Sequence, residues 1–195
     1  MRTGELRVLA VVVPVLVVIE ALTRPALLAW SVLAPDSYES AILSSAQAYD
    51  RAIIGFYLLT LIVFGRWIYV AGRNLVLAGL DGLQFTPASR IWWFAVPFAN
   101  FVKPFQGMRE LWNASHGADY ATNRWLVSSW WALWLGNGIT AYLAGRFGAE
   151  DGGCLLMLES LSGLILAGIA ITLVRQISAA QLRLSTAPDL TEVFA

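Results

Sequence analysis

The chain has 195 residues, of which 58% are hydrophobic and 13% charged, and its mean hydropathy is +0.64. Soluble domains run at about 45–50% apolar and about 25% charged, so this chain carries more apolar surface than a water-soluble domain can hide, and lipid is the expected solvent. Thirteen basic and thirteen acidic residues cancel, which excludes the basic excess a nucleic-acid binder needs.

The single cysteine, Cys154, excludes an intrachain disulfide, and one histidine, His116, leaves no Cys/His cluster for a zinc site. No metal and no cofactor is expected. His116 reads as an ordinary loop or interface residue, because a catalytic histidine needs an oriented partner.

In chain order, Arg2 and Arg7 precede an apolar run from Val8 to Ile19, which imitates a signal peptide. Glu20 and Arg24 follow directly, and no small-x-small cleavage pattern occurs before Trp30, so a retained first span is expected. A bilayer core of about 30 Å takes about 20 helical residues. Four stretches meet that requirement: 6–33, 51–80, 125–147 and 154–182. The expected fold class is all-α and integral to the membrane, a four-transmembrane-helix bundle in one domain over 1–184. The polar tail 185–195 reads as disordered.

Between the second and third spans, residues 87–116 read differently. The segment from Ile91 to Phe105, apolar over Ile91 to Phe98, is short, and Pro97 and Pro104 interrupt it. Each proline removes a donor and clashes with the carbonyl four residues back, and each pushes the residue before it toward extended angles. Irregular backbone cannot face lipid unprotected, so a re-entrant or interfacial element is expected. Thr86-Pro87 suits its N-cap and first turn. Phe105, Met108, Leu111 and Trp112 then share one helical face and Gln106, Arg109, Glu110 and Asn113 the other, the pattern of a short amphipathic cytoplasmic helix in the headgroup plane.

Charge sets the expected orientation. Arg2, Arg7, Arg73, Arg90, Lys103, Arg109, Arg124, Arg175 and Arg183 lie on one side of a four-span chain, and Asp36, Glu39, Asp50, Glu150 and Asp151 on the other. Both termini are then cytoplasmic. Trp92, Trp93, Trp112 and Trp125 are expected at the inner interface and Trp30 at the outer one, with Trp130, Trp131 and Trp134 between helices.

Several residues stand out as candidate sites. Glu20 and Arg24 sit inside the first span at ion-pair spacing. Intramembrane charges are costly and mark partners or pathways, so a proton or cation site at Glu20 is the functional alternative. Glu159 and Arg146 enter near the outer surface, where Arg24–Glu159 or Arg146–Glu159 would make a structural pair. Arg66, Tyr69 and Arg73 recur at helical spacing near the inner surface. With Asn100, Lys103 and Arg109 they would form a basic vestibule for an anionic headgroup or solute, or simply snorkel to phosphates.

The stretch from Trp67 to Trp134 carries a resemblance. Its residues are Trp67, Tyr69 and Arg73-Asn74, then Phe85-Thr86-Pro87, Trp92-Trp93-Phe94-Ala95-Val96-Pro97-Phe98-Ala99-Asn100, Lys103-Pro104-Phe105-Gln106-Gly107-Met108-Arg109-Glu110-Leu111-Trp112 and Trp130-Trp131-Ala132-Leu133-Trp134. This resembles the bacterial membrane family known as domain of unknown function 4328. The resemblance implies a bacterial cytoplasmic (inner) membrane protein and brings no activity with it.

No catalytic constellation stands out: there is no pair of histidines and no glycine-rich phosphate loop. The first expectation is therefore a non-enzymatic assembly module that contacts membrane lipids and pairs with itself or another membrane protein. An oligomeric channel or small transporter, its pathway lined by the broken segment, is the alternative. A lipid-modifying enzyme is the third.

Overall fold

The computed structural model describes residues 1–42, 45–117 and 125–185, with the side chains of 147–153 outside that set. The described residues form helices α1 (Thr3–Leu33), α2 (Pro35–Ile42), α3 (Ala46–Leu77), α4 (Ser89–Trp92), α5 (Lys103–Ser115) and α6 (Trp125–Leu184), with 3₁₀ turns at Trp93–Ala95 and Ala99–Phe101 and no strand among them. The expected disorder after Ser185, and the charges of Arg124, Glu150 and Asp151, fall outside the described residues.

Valine-rich α1 would be a poor helix in water, because β-branched side chains lose freedom against the preceding turn. In lipid an unpaired backbone group costs far more, and the helix satisfies all of them internally. Pro14 and Pro25 lie inside α1, where each leaves the carbonyl four residues back without its helical donor. Among the described residues three helical stretches are long and apolar enough to cross a membrane: Thr3–Leu33, Ala46–Leu77 and Cys154–Leu184.

Two separate spans were expected over 125–147 and 154–182; the backbone instead stays helical from Trp125 to Leu184. A straight helix would separate residues 137 and 162 by roughly 37 Å at about 1.5 Å per residue. Yet the Ser162 hydroxyl donates to Asn137 Oδ1 at 3.0 Å. The chain therefore reverses between them.

The contacts divide the chain into two compact units, the first made of Met1–Val11, Gly65–Ser128 and Thr172–Ala195 and the second of Val12–Phe64 and Ser129–Ile171. The first unit has a conventional core, with Leu6, Trp67, Val70, Leu111, Leu173 and Ile177 buried. A buried polar network stitches it. Gln181 Nε2 donates to the Ala71 carbonyl at 3.0 Å and to Ser115 Oγ at 2.9 Å, and Trp67 Nε1 donates to Ser178 Oγ at 3.0 Å. Asn74 Oδ1 takes the backbone N–H of Arg2 at 2.7 Å.

The second unit is packed the other way round. Small Ala144, Ala167 and Ala170 are buried, whereas Ile54, Leu58, Ile62, Ile139, Leu161 and Ile165 point outward. Small residues inside and large aliphatics outside are what helices do in lipid, where close backbone approach drives association and apolar surface needs no hiding. Trp130 and Trp131 are buried here. Their rings lie 5.4 Å apart, with Phe64 stacked on Trp130 at 6.3 Å and Trp134 on Trp131 at 4.8 Å. Of these contacts Phe64–Trp130 joins two helices, α3 and α6, and the other two lie along α6.

Candidate functional site

The broken segment follows α3 in the first unit. Thr86 starts it: its Oγ1 accepts the Ser89 N–H at 3.1 Å and its carbonyl accepts the Arg90 N–H at 3.2 Å. One helical turn follows and tightens into 3₁₀ geometry through Ala95. Val96 is extended (φ −92°, ψ 116°), as the proline behind it requires. Phe98 then takes a φ of +62°, which costs a bulky residue about 1–3 kcal/mol. The irregular backbone bonds to itself. Ala99, Asn100 and Val102 donate to the carbonyls of Pro97, Val96 and Ala99 at 2.7, 2.9 and 3.1 Å. Pro104 does not break anything; it occupies the first turn of α5, where no intrahelical donor is needed.

A buried ion pair pins this segment. Arg90 Nη2 donates to Glu110 Oε1 at 2.5 Å, and the two side chains are 1% and 5% exposed. Glu110 also accepts the backbone N–H groups of Gln84 at 2.7 Å and Phe85 at 3.2 Å. Glycines make the space. A Cβ at Gly72 would lie 2.8 Å from Arg90 Nη1 and 3.4 Å from the Pro87 Cα; one at Gly107 would lie 3.4 Å from Arg90 Cγ. The arginine stem thus runs between α3 and α5.

This corrects the amphipathic reading of α5. Glu110 and Asn113, expected on a solvated face, are buried, as is Trp112, expected at the interface. The carboxylate tolerates burial because a guanidinium and two amides meet it. What the segment presents outward is apolar: Phe98 is 86% and Trp92 70% exposed, with Phe101 and Val102 at least half exposed.

The expected basic vestibule separates into two groups. Arg66 donates from Nε to Glu5 Oε1 at 2.8 Å and lies 5.4 Å over the Tyr69 ring, and Arg73 Nη1 reaches the Tyr69 hydroxyl at 3.4 Å. Lys103 Nζ lies 5.9 Å from the Phe85 ring and 6.0 Å from the Trp93 ring, and Arg109 lies 5.5 Å over Phe105. Asn100 Oδ1 is buried with no hydrogen-bond partner. No hydrogen bond or ion pair joins Arg66, Tyr69 and Arg73 to Asn100, Lys103 and Arg109. His116 stacks on Trp112 at 4.3 Å.

In the second unit Arg24 pairs with Glu159 at 2.9 Å rather than with Glu20. Glu159 is the buried partner, so a cation gains more there than beside half-buried Glu20. Arg146 is exposed. One turn beyond Glu159, Ser162 carries the contact on to Asn137.

Arg90, Glu110, Gln181, Asn74 and Ser178 carry the interior and were not singled out from sequence. One signal was available: Gly107, Glu110 and Ala114 share a helical face, and small residues flanking a carboxylate mark close approach.

An all-helical chain with three membrane-length apolar helices, and a proline-broken segment pinned by a buried ion pair, is of integral-membrane type. The family model described as Domain of unknown function (DUF4328) matches residues 32–179, and the chain belongs to that family. Neither the curated proteins nor the solved structures gave a match.

Proposed function

We propose that this protein is a multi-pass protein of the bacterial cytoplasmic membrane that acts by assembly rather than by catalysis. Residues 6–33, 51–80, 125–147 and 154–182 cross, both termini are cytoplasmic, and 87–116 is the re-entrant or interfacial element. The inverted packing of the second unit supports its placement in hydrocarbon. Charge supports the orientation: on a four-span chain Arg73, Lys103, Arg109, Arg175 and Arg183 fall on one side, and Asp36, Glu39 and Asp50 on the other.

The observation that carries the assembly reading is the broken segment itself. Its buried charges are paired with each other, Arg90 with Glu110, and its most exposed side chains, Phe98 and Trp92, are apolar. Such a surface binds; it has no chemistry to perform. A second reading, a permeation path made by several copies, is favoured by the polar side chains of the second unit, the Arg24–Glu159 pair and the Ser162–Asn137 bond one turn further on.

Two measurements test these readings. With Cys154→Ala and Lys103→Cys, an impermeant maleimide labels only after the inner face is opened; labelling of intact cells overturns the four-span orientation. In proteoliposomes the assembly reading expects no solute flux above protein-free vesicles. Flux abolished by Glu159→Gln replaces it with the permeation reading.

A further inference from the structure

The exposed phenylalanine of the broken segment poses an energetic problem. Phe98 holds an unfavourable φ of +62° and at 86% exposure packs against almost nothing in its own chain. Strained residues persist where surrounding structure over-determines them; local backbone hydrogen bonds hold this turn, but the Phe98 side chain gains no burial from it. An apolar partner outside the chain would supply that burial.

We propose that residues 92–102 form a wedge inserted into the cytoplasmic leaflet of an anionic membrane. Trp92, Phe98, Phe101 and Val102 sit among lipid chains, and Lys103 and Arg109 bind lipid phosphates. This rests on the multi-pass reading above and names the partner of the same segment.

Three features fit that occupant. Irregular backbone enters an apolar layer only when its polar groups are satisfied, and the amides of Ala99, Asn100 and Val102 are bonded within the segment. The stretch is too short and too broken to cross, since a crossing helix needs about 20 residues, so it reaches one leaflet. Finally, the apolar side chains are followed directly by cations. Lys103 and Arg109 lean on aromatic rings, and among the described residues neither has a carboxylate partner, which leaves their charge for phosphate. Trp92 suits the boundary, where an amphipathic ring is favoured. The Arg90–Glu110 pair also anchors the root of the wedge, and preorganisation lowers the cost of binding. A protein partner would equally welcome apolar side chains but has no general need for two cations on the helix that follows them.

The test uses the full chain with Cys154→Ala, carrying a single fluorophore-labelled cysteine at Phe98→Cys or, separately, Phe101→Cys. Each is reconstituted in vesicles of phosphatidylcholine alone and with phosphatidylglycerol. Leu61→Cys, on an outward face of α3, reports the span. The wedge expects labels at 98 and 101 to be quenched by nitroxides on lipid chains and protected from an aqueous quencher. It also expects quenching by phosphatidylglycerol-borne nitroxide to exceed that by phosphatidylcholine-borne nitroxide, with the preference falling on the order of fivefold for each of Lys103→Gln and Arg109→Gln. Aqueous quenching at 98 and 101 with a lipid-buried label at 61 overturns the wedge and leaves the multi-pass reading standing. Aqueous quenching at all three positions overturns both. Protection from both quenchers at 98 shows a protein covering the segment, and overturns lipid as its occupant.

Discussion

Replacing Glu110 by alanine should be among the most damaging single changes this chain can take. The substitution removes the acceptor of three donors at once: Arg90 Nη2 at 2.5 Å and the N–H groups of Gln84 and Phe85 at 2.7 and 3.2 Å. Arg90 is 1% exposed, so its charge cannot turn to water. Removing one partner of such a buried pair costs about 3–5 kcal/mol, against a total stability of about 5–15 kcal/mol. Replacing both partners by apolar residues of similar volume is often neutral. The Arg90→Met/Glu110→Leu double variant should therefore be more stable than Glu110→Ala alone, short of the native chain by the two amides still lacking an acceptor, at about 1–3 kcal/mol each. Thermal unfolding in detergent, followed by tryptophan fluorescence, reads this as a fall in Tm on the order of 10 °C for Glu110→Ala. A loss under about 1 kcal/mol, or a double variant worse than the single one, would refute a buried pair pinning the broken segment.

The neighbouring positions give further checks. Gly72→Ala puts a Cβ 2.8 Å from a guanidinium that has no room to withdraw, and should cost about 1–3 kcal/mol by the same unfolding assay, less when Arg90→Met is present. Gln181→Leu removes the donor to Ser115 Oγ and the second donor to the Ala71 carbonyl and should cost about 1–3 kcal/mol; an unchanged Tm would mean the network is not closed. Arg24→Gln leaves Glu159 without its cation, whereas Arg24→Gln/Glu159→Gln leaves two neutral amides. The double variant should recover most of the stability lost, by about 1 kcal/mol since Arg24 is 56% exposed.

Family membership and membrane character were legible in the sequence because both are local. Hydropathy sums along a window, and α1, α3 and the second half of α6 each satisfy it. Turn chemistry is local too. Val96 is extended because Pro97 follows, and Thr86 caps because its oxygen reaches three residues on. Helical spacing also brought Phe105, Met108, Leu111 and Trp112 onto one face, but it could not say what lay opposite. The face holding Glu110 and Asn113 looked solvated, as most such faces are, and proved to be buried.

What only the tertiary structure decided is pairing. Arg24 had Glu20 one turn away at the right spacing, and took Glu159, which is distant in sequence and buried in space. Arg90 and Glu110 looked like two surface charges twenty residues apart. They became the pin of the broken segment because Gly72 and Gly107 let α3 and α5 close on the arginine stem. A charge chooses its partner by dielectric and distance, and both are set by where the rest of the chain ends up. Sequence determined that this protein belongs with lipid; the fold decided which of its few charges stay inside, and which apolar side chains are left facing out.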